Sequence, residues 1–310
     1  MQEESLAVGG QAVIEGVMMR GPNGIAIAVR RPDGEIVLKN DSFQPITKRI
    51  KWLNIPILRG AILLIETMYV GMKALTFSSD IAMEAEKQKN GAADKPRNKR
   101  RDKIETALTV VFALALGIAF FFYLPLLLTG LFGFDSGFWF NLVDGLIRMV
   151  FFLAYLYLIS RWKEIRRVFE YHGAEHKSIF AYENQKELVV DSARPFTTLH
   201  PRCGTSFLLI VMVVSILVFM FLGKPETVAE RLVRLAFVPL IGGLSYELIK
   251  LSAKAYRYRF FRLFLLPGLW LQRITTVEPD DQQLEVAMVA LKCALGQDPA
   301  VGPSKVVLVS

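Results

Sequence analysis

Histidine and cysteine are scarce in this chain: three of one and two of the other among 310 residues. Two cysteines, Cys203 and Cys293, do not make a disulfide framework, and facing the cytoplasm they would stay reduced. The first twenty residues, MQEESLAVGGQAVIEGVMMR, begin acidic and lack an apolar core, so no cleavable signal peptide is expected. The glycine-rich stretch Gly9 to Pro22 lacks both the Lys-Ser/Thr of a P-loop and the G-x-G-x-x-G of a dinucleotide-binding turn. The dense basic run KQKNGAADKPRNKRRDK at 87–103 contains no aromatic residue, which argues against base stacking and a specific nucleic-acid partner. It reads as a solvated linker and topology signal that also attracts anionic lipid.

Apolar residues, by contrast, are abundant. They make up 53% of the chain, and the mean hydropathy is +0.36. This exceeds what ordinary soluble domains carry and indicates an α-helical integral membrane protein with a small β-rich N-terminal region. Residues 107–128 hold no charge and form a clear span, with Pro125 near its end. Residues 138–160 form a second, containing Asp144 and Arg148, an i,i+4 pair read as fixing helix depth. Residues 205–222 form a third, and 235–251, apolar apart from Glu247, a fourth. Residues 57–83 are interrupted by Arg59, Glu66 and Lys73 and are expected to lie at the interface or pack on the spans. Residues 260–271 are too short to cross, and 279–295 read as an amphipathic helix with Asp280 and Asp281 in its first turn.

The expected organisation is therefore a β-rich region over 1–50, an interfacial helix over 51–86 and the basic linker 87–103. Two spans follow within 104–160, then a His/Cys segment over 161–204. Two further spans lie within 205–252, and 253–310 holds an interfacial helix and the C-terminal tail. Within the first region, IAIAVRR and EIVLKN flank Pro32-Asp33-Gly34, a hairpin signal. Basic residues before the first span, in RWKEIRR and in KAYRYRFFR place those loops inside. Four spans with both termini cytoplasmic satisfy every loop.

Every histidine falls between His172 and His200. His172-Gly-Ala-Glu175-His176 puts two imidazoles one helical turn apart on one face, with Glu175 at its edge. This is the His-x-x-Glu-His arrangement of one metallopeptidase class. His200-Pro-Arg-Cys203 follows, able to close on the pair from a loop. Residues 161–185 contain no helix breaker except Gly173, so the second span is expected to continue as one long helix through the motif. Glu183, i+7 from His176, then lies near the same face.

Three arrangements fit these residues. In one, His172, His176 and a third ligand drawn from Glu247, His200 or Glu183 hold zinc with a position open to water, and Glu175 is the general base. In another, His172, His176, His200 and Cys203 close a structural zinc site. In the last, the histidines bind no metal and hydrogen-bond to carboxylates and headgroups. Glu15 and Arg20, on the glycine-shaped loop, are candidates to approach the site or simply to flank a strand turn.

Four stretches, GGQAVIEGVMMRGP, EYHGAEHKSIFAYE, LHPRCGTSF and TTVEPDDQQLEVAMVALK, resemble the bacterial membrane-protein family called domain of unknown function 1385, across roughly 8–295. The resemblance implies a metal-dependent enzyme in the bacterial plasma membrane. It leaves open a non-catalytic accessory or scaffold protein of membrane insertion, translation or envelope machinery. Membrane lipids, a membrane-protein partner or a second copy of the chain are the expected partners.

Overall fold

The computed structural model describes residues 8–89, 99–254 and 259–309. Its N-terminal segment forms two hairpins. β1 (Gly9–Val13) and β2 (Gly16–Gly21) pair around Ile14-Glu15, where Glu15 takes a left-handed φ of 53°. The Glu15 carbonyl accepts the Arg30 amide at 2.8 Å, tying this turn to the next strand. β3 (Gly24–Arg30) and β4 (Ile36–Asp41) pair across the expected Pro32-Asp33-Gly34 turn, with Gly34 at φ 91°. The C-terminal tail, to which the sequence reading assigns no structure, supplies β5 (Val306–Val309), parallel to β4. The sheet order is β1-β2-β3-β4-β5.

Every residue of β3 is buried, because both sheet faces are covered. The longer helices are α1 (Leu58–Lys89), α2 (Lys99–Ile118), α3 (Gly137–Ile159), α4 (Lys163–Glu183), α5 (Gly204–Met220), α6 (Val228–Ala236), α7 (Val238–Lys254), α8 (Arg259–Thr275) and α9 (Asp281–Ala294). Strand alternation sends Val17, Met19, Ala26, Ala28, Ile36 and Leu38 into a core with α4 and α9. It sends Met18, Ile25, Ile27, Val29 and Val37 against Val70, Ala74, Phe77 and Ile81 of α1. The result is three layers, with the sheet in the middle. α9 is capped by a reciprocal Asp280–Gln283 box. It is not amphipathic as expected: Gln283 to Leu291 are all buried, the polar Glu285 being held by Arg30 at 2.7 Å and Ser304 at 2.8 Å.

Among the described residues, four helical stretches are long and apolar enough to cross a membrane: Leu58–Glu84, Leu108–Gly130, Gly137–Ile159 and Val228–Leu251. The second continues α2 through a π-helical turn, Ala119–Tyr123, into Leu124–Gly130. The fourth joins α6 to α7 and begins earlier than the expected 235. The expected third span is the shorter apolar helix Gly204–Met220. The single long helix expected from the second span does not occur. α3 ends at Ile159, and Trp162 is extended (φ −79°, ψ 134°) before α4 starts. Of the basic linker, 87–89 complete α1 and 99–103 open α2, while 90–98 lie outside the described residues. In KAYRYRFFR, 255–258 likewise lie outside them.

α5 packs between α3, α7 and α8. Its far end meets the start of α3: the Asn141 side-chain amide donates to the Gly223 carbonyl at 2.7 Å, and Arg234 donates there at 2.5 Å. Asp144 and Arg148 pair at 2.9 Å beside this contact, with Asp144 buried. The near end of α5 meets α4, and that junction is the site.

A candidate metal centre

α4 has helix formers throughout except at Gly173, and the fold requires that glycine. A Cβ there would strike the Val277 carbonyl and lie 3.2 Å from Thr198 Cγ2. Gly173 thus lets two segments, one ending in Thr198 and one running Thr275–Val277, pass tight against the helix. The Val277 amide donates to the Phe169 carbonyl at 3.0 Å. Each segment offers a backbone carbonyl to one histidine: His172 Nδ1 is 2.8 Å from Thr275 O, and His176 Nδ1 bonds to Thr198 O. A carbonyl only accepts, so both Nδ1 atoms carry the proton and both Nε2 lone pairs are free of the backbone.

Those lone pairs meet Cys203. His172 Nε2 lies 3.2 Å from the Cys203 sulfur, the imidazole centroids are 4.4 Å apart, and ligand atoms of His172, His176 and Cys203 all fall within 4.8 Å of one another. Cys203 is the N-cap of α5, its sulfur accepting from the Thr205 amide at 3.4 Å. Burial holds the His176 imidazole below its ordinary pKa, partly opposed by its hydrogen bond to Cys203. A neutral imidazole is the form that ligates metal. Two nitrogens and one sulfur, with imidazoles anchored through the opposite nitrogen, make a donor set suited to zinc.

His200 does not join this group. Its Nε2 faces Glu183 Oε2 at 3.4 Å and its Nδ1 accepts from the Arg202 amide at 3.3 Å. Its ring packs 5.5 Å from His176 and 4.6 Å from Phe180. Burial lowers its pKa to about 4, with Glu175 opposing the shift. Glu183 orients His200 and pairs with Arg202. Glu175 is buried toward the sheet, where the Gly10 backbone hydrogen-bonds to it. Burial raises its pKa, against the pull of His172 and His200. Gly10 leaves that carboxylate room, since a Cβ there would come 3.0 Å from Glu175 Cγ.

Glu247 is not brought to the group. Arg59 grips both its oxygens, at 2.7 and 2.6 Å, joining α1 to α7. Glu15 pairs with Arg167 and meets the Tyr171 hydroxyl at 3.4 Å. Arg20 stacks 4.7 Å above Phe43. Neither reaches the cysteine. Sequence reasoning missed the anchoring carbonyls, which have no side-chain signature. It also missed Gln272, a buried polar residue in apolar α8, whose side chain bonds the His200 amide at 2.7 Å, the His200 carbonyl at 2.8 Å and Ser206 at 3.0 Å. A lone glutamine ending FFRLFLLPGLWLQ was the available signal.

The uncharacterised protein YqhQ of Bacillus subtilis (strain 168) is 34% identical over 298 residues, spanning 91% of this chain and 90% of that protein. No solved structure matches. The model of the family described as protein of unknown function (DUF1385) matches residues 55–297, which hold the His172, His176 and Cys203 cluster, and the chain belongs to that family.

Proposed function

We propose that this chain is a multi-pass protein of the bacterial plasma membrane, with both termini cytoplasmic, carrying a zinc-dependent hydrolytic site where its cytoplasmic layers meet the spans. The observation that carries the reading is the convergence of two free Nε2 lone pairs and one thiol, each imidazole locked by a backbone carbonyl. His172 and His176 would hold the ion through Nε2, and Cys203 through its sulfur. With three protein ligands, zinc supplies a Lewis acid and an acidified water at its remaining position. Glu175, whose carboxyl feels the charge of His172 and His200, would be the residue that accepts and returns a proton. His200, kept neutral and held by Glu183 and Gln272, fixes the wall of the site. The place of the site, where the start of α5 meets the middle of α4, suits a membrane-protein peptide or a lipid-linked group as substrate. Positive-inside charge supports the orientation.

Metal content of detergent-purified protein tests this. Near-stoichiometric zinc in wild type, lost in His172→Ala/His176→Ala, is expected, together with zinc kept but hydrolysis lost in Glu175→Gln. No zinc in protein purified without chelator sinks the reading.

One observation favours a second reading, a non-catalytic accessory protein with a structural zinc. His176, Cys203 and Glu175 are buried, the ion would clamp α4 to α5, and the clefts beside Leu128, Phe121, Val189 and Glu15 are lined by other residues. Growth rescue by Glu175→Gln but not by Cys203→Ala, with a stable co-purifying membrane protein, selects that reading.

A further inference from the structure

By length and composition α1 is a membrane span, yet the chain's connectivity gives it no membrane to cross. α3 leads through Ser160–Trp162 directly into α4, which packs on the sheet. The Ile159 end of α3 is therefore on the sheet side and the Gly137 end on the far side. The short loop 131–136 puts Gly130 on the far side as well, so the Leu108 end of that span returns to the sheet side. Asp41, ending β4, is in the sheet itself. The chain thus leaves and re-enters the same side between Asp41 and Leu108, and the number of crossings between them is even. Among the described residues α1 is the only helix there able to cross. Its number of crossings is zero. The parallel pairing of β4 with β5 imposes the same parity on the whole chain: Leu108–Gly130, α3, α5 and α6–α7 make an even set only if α1 stays out.

The faces of α1 say where it lies instead. Val70, Ala74, Phe77 and Ile81 pack on the sheet. Lys73, Asp80 and Glu84 are exposed along one flank. Opposite the sheet, Ile65, Met68, Tyr69, Met72 and Leu75 are exposed, Met68 at 65%, and they recur at helical spacing. This stripe runs on from surfaces already facing lipid. Gly60 lets α1 close on α7, since a Cβ there would come 3.0 Å from the backbone at Gly243, Arg59 holds Glu247, and Leu248 and Leu251 of α7 are exposed beside that contact. Ahead of the helix, Ile50, Trp52, Ile55 and Leu58 are also exposed, with Arg49 among them. Tryptophan and arginine bordering apolar surface are residues of the headgroup level. Lys73 lies 5.4 Å over the Tyr69 ring, its stem along the stripe.

We infer that α1 lies flat in the sheet-side leaflet, its Ile65–Leu75 stripe seated at the headgroup–acyl boundary and its opposite face carrying the β-sheet. The bilayer surface is then a binding surface of this protein, and α1 is the plate that couples the sheet to it. The inference rests on the membrane-spanning reading but not on zinc, so it survives loss of the metal proposal.

The test is depth-dependent fluorescence quenching on the full chain in nanodiscs of phosphatidylcholine and phosphatidylglycerol. A single reporter is placed at Met72→Cys, with Leu114→Cys in α2 as the deep reference. The native cysteines are both buried. Lipids brominated near the headgroup are expected to quench position 72 more than lipids brominated near the chain end, placing it about 5–10 Å into the boundary, and position 114 is expected to show the reverse order. Chain-end quenching at 72 equal to that at 114 would mean a crossing helix and would overturn the inference. Loss of quenching with an efficient 72–72 disulfide assigns the stripe to a second copy. Loss of quenching without it assigns the stripe to water. Either result also overturns the inference.

Discussion

Replacing Gly173 by alanine tests whether the two carbonyl-bearing segments set the histidines. In a free helix the change gains about 1 kcal/mol of propensity. Here the added methyl meets the Val277 carbonyl, a backbone atom, and crowds Thr198 Cγ2 at 3.2 Å. Overpacking of this kind costs about 1–3 kcal/mol, so the net loss of global stability is between about 0 and 2 kcal/mol, small enough to leave the protein folded. The larger effect is local. Pushing Thr275–Val277 and Thr198 away from α4 lengthens both Nδ1–carbonyl bonds, and loss of such outer partners typically weakens metal binding about 10–100-fold. Zinc affinity by chelator competition, read beside the melting temperature of the zinc-free protein, separates the two effects. Gly117→Ala is the control, since a Cβ at Gly117 meets nothing within 4 Å. A Gly173→Ala protein that melts no lower than wild type and binds zinc with wild-type affinity would refute the argument that this glycine places the anchors.

Other outcomes follow from the same geometry. Glu175→Gln removes a buried carboxylate whose pKa is raised by burial, so the zinc-free variant is expected to melt higher than wild type at pH 8, and a lower melting point would mean that the Gly10, His172 and His200 interactions outweigh the cost of burying the charge. His200 has its pKa depressed to about 4 against about 6.5 when unfolded. The unfolded chain therefore takes up the proton first, and stability present above about pH 6.5 is lost as pH falls toward 4, by about 3 kcal/mol at most. His200→Gln should flatten that part of the melting-temperature profile of zinc-free protein. Glu247→Gln is expected to leave zinc content unchanged while protease sensitivity near Arg59 rises, because that carboxylate holds α1 to α7 rather than the metal; zinc loss would reinstate it as a ligand. Ending the chain before Ser304 removes β5 and the Ser304 bonds to Glu285, so lower thermal stability and aggregation through the bared β4 edge are expected, and an unchanged melt denies β5 a structural role.

What the sequence made legible was local. Two apolar runs flanking Pro32-Asp33-Gly34 specify the β3–β4 hairpin, and the i,i+4 spacing of His172 and His176 specifies their shared face. Confinement of the histidines and Cys203 to one segment pointed to the residues that the fold brings together. What it hid was long-range. β5 is four apolar residues whose pairing partner is Ile36–Lys39, a separation no local pattern encodes. Glu247 and Glu183 were equally plausible ligands by residue type, and only their arginine partners distinguish them. The break at Ser160–Trp162 has no proline or glycine to announce it. α9 looked amphipathic because Gln283 and Glu285 are polar, but both are buried with partners contributed by Glu170, Arg30 and Ser304.

The clearest conflict between composition and connectivity concerns α1 and α5. Hydropathy and length qualify Leu58–Glu84 as a span and leave Gly204–Met220 short. The inferred membrane placement reverses that order. α5 runs from Cys203, touching His172 of α4, toward the Gly223 carbonyl that Asn141 at the start of α3 binds, so it joins the sheet side to the far side that α3 starts from. Its length of about 25 Å at 1.5 Å per residue is sufficient where neighbouring helices shield both ends. α1, though longer, carries a β-sheet on one face. The β1 edge of that sheet would leave unpaired amides in hydrocarbon if α1 dipped through it, at several kcal/mol for each. Apolarity measures only what a helix buries. Whether it buries that surface across a bilayer or along one is decided by what its other face must carry.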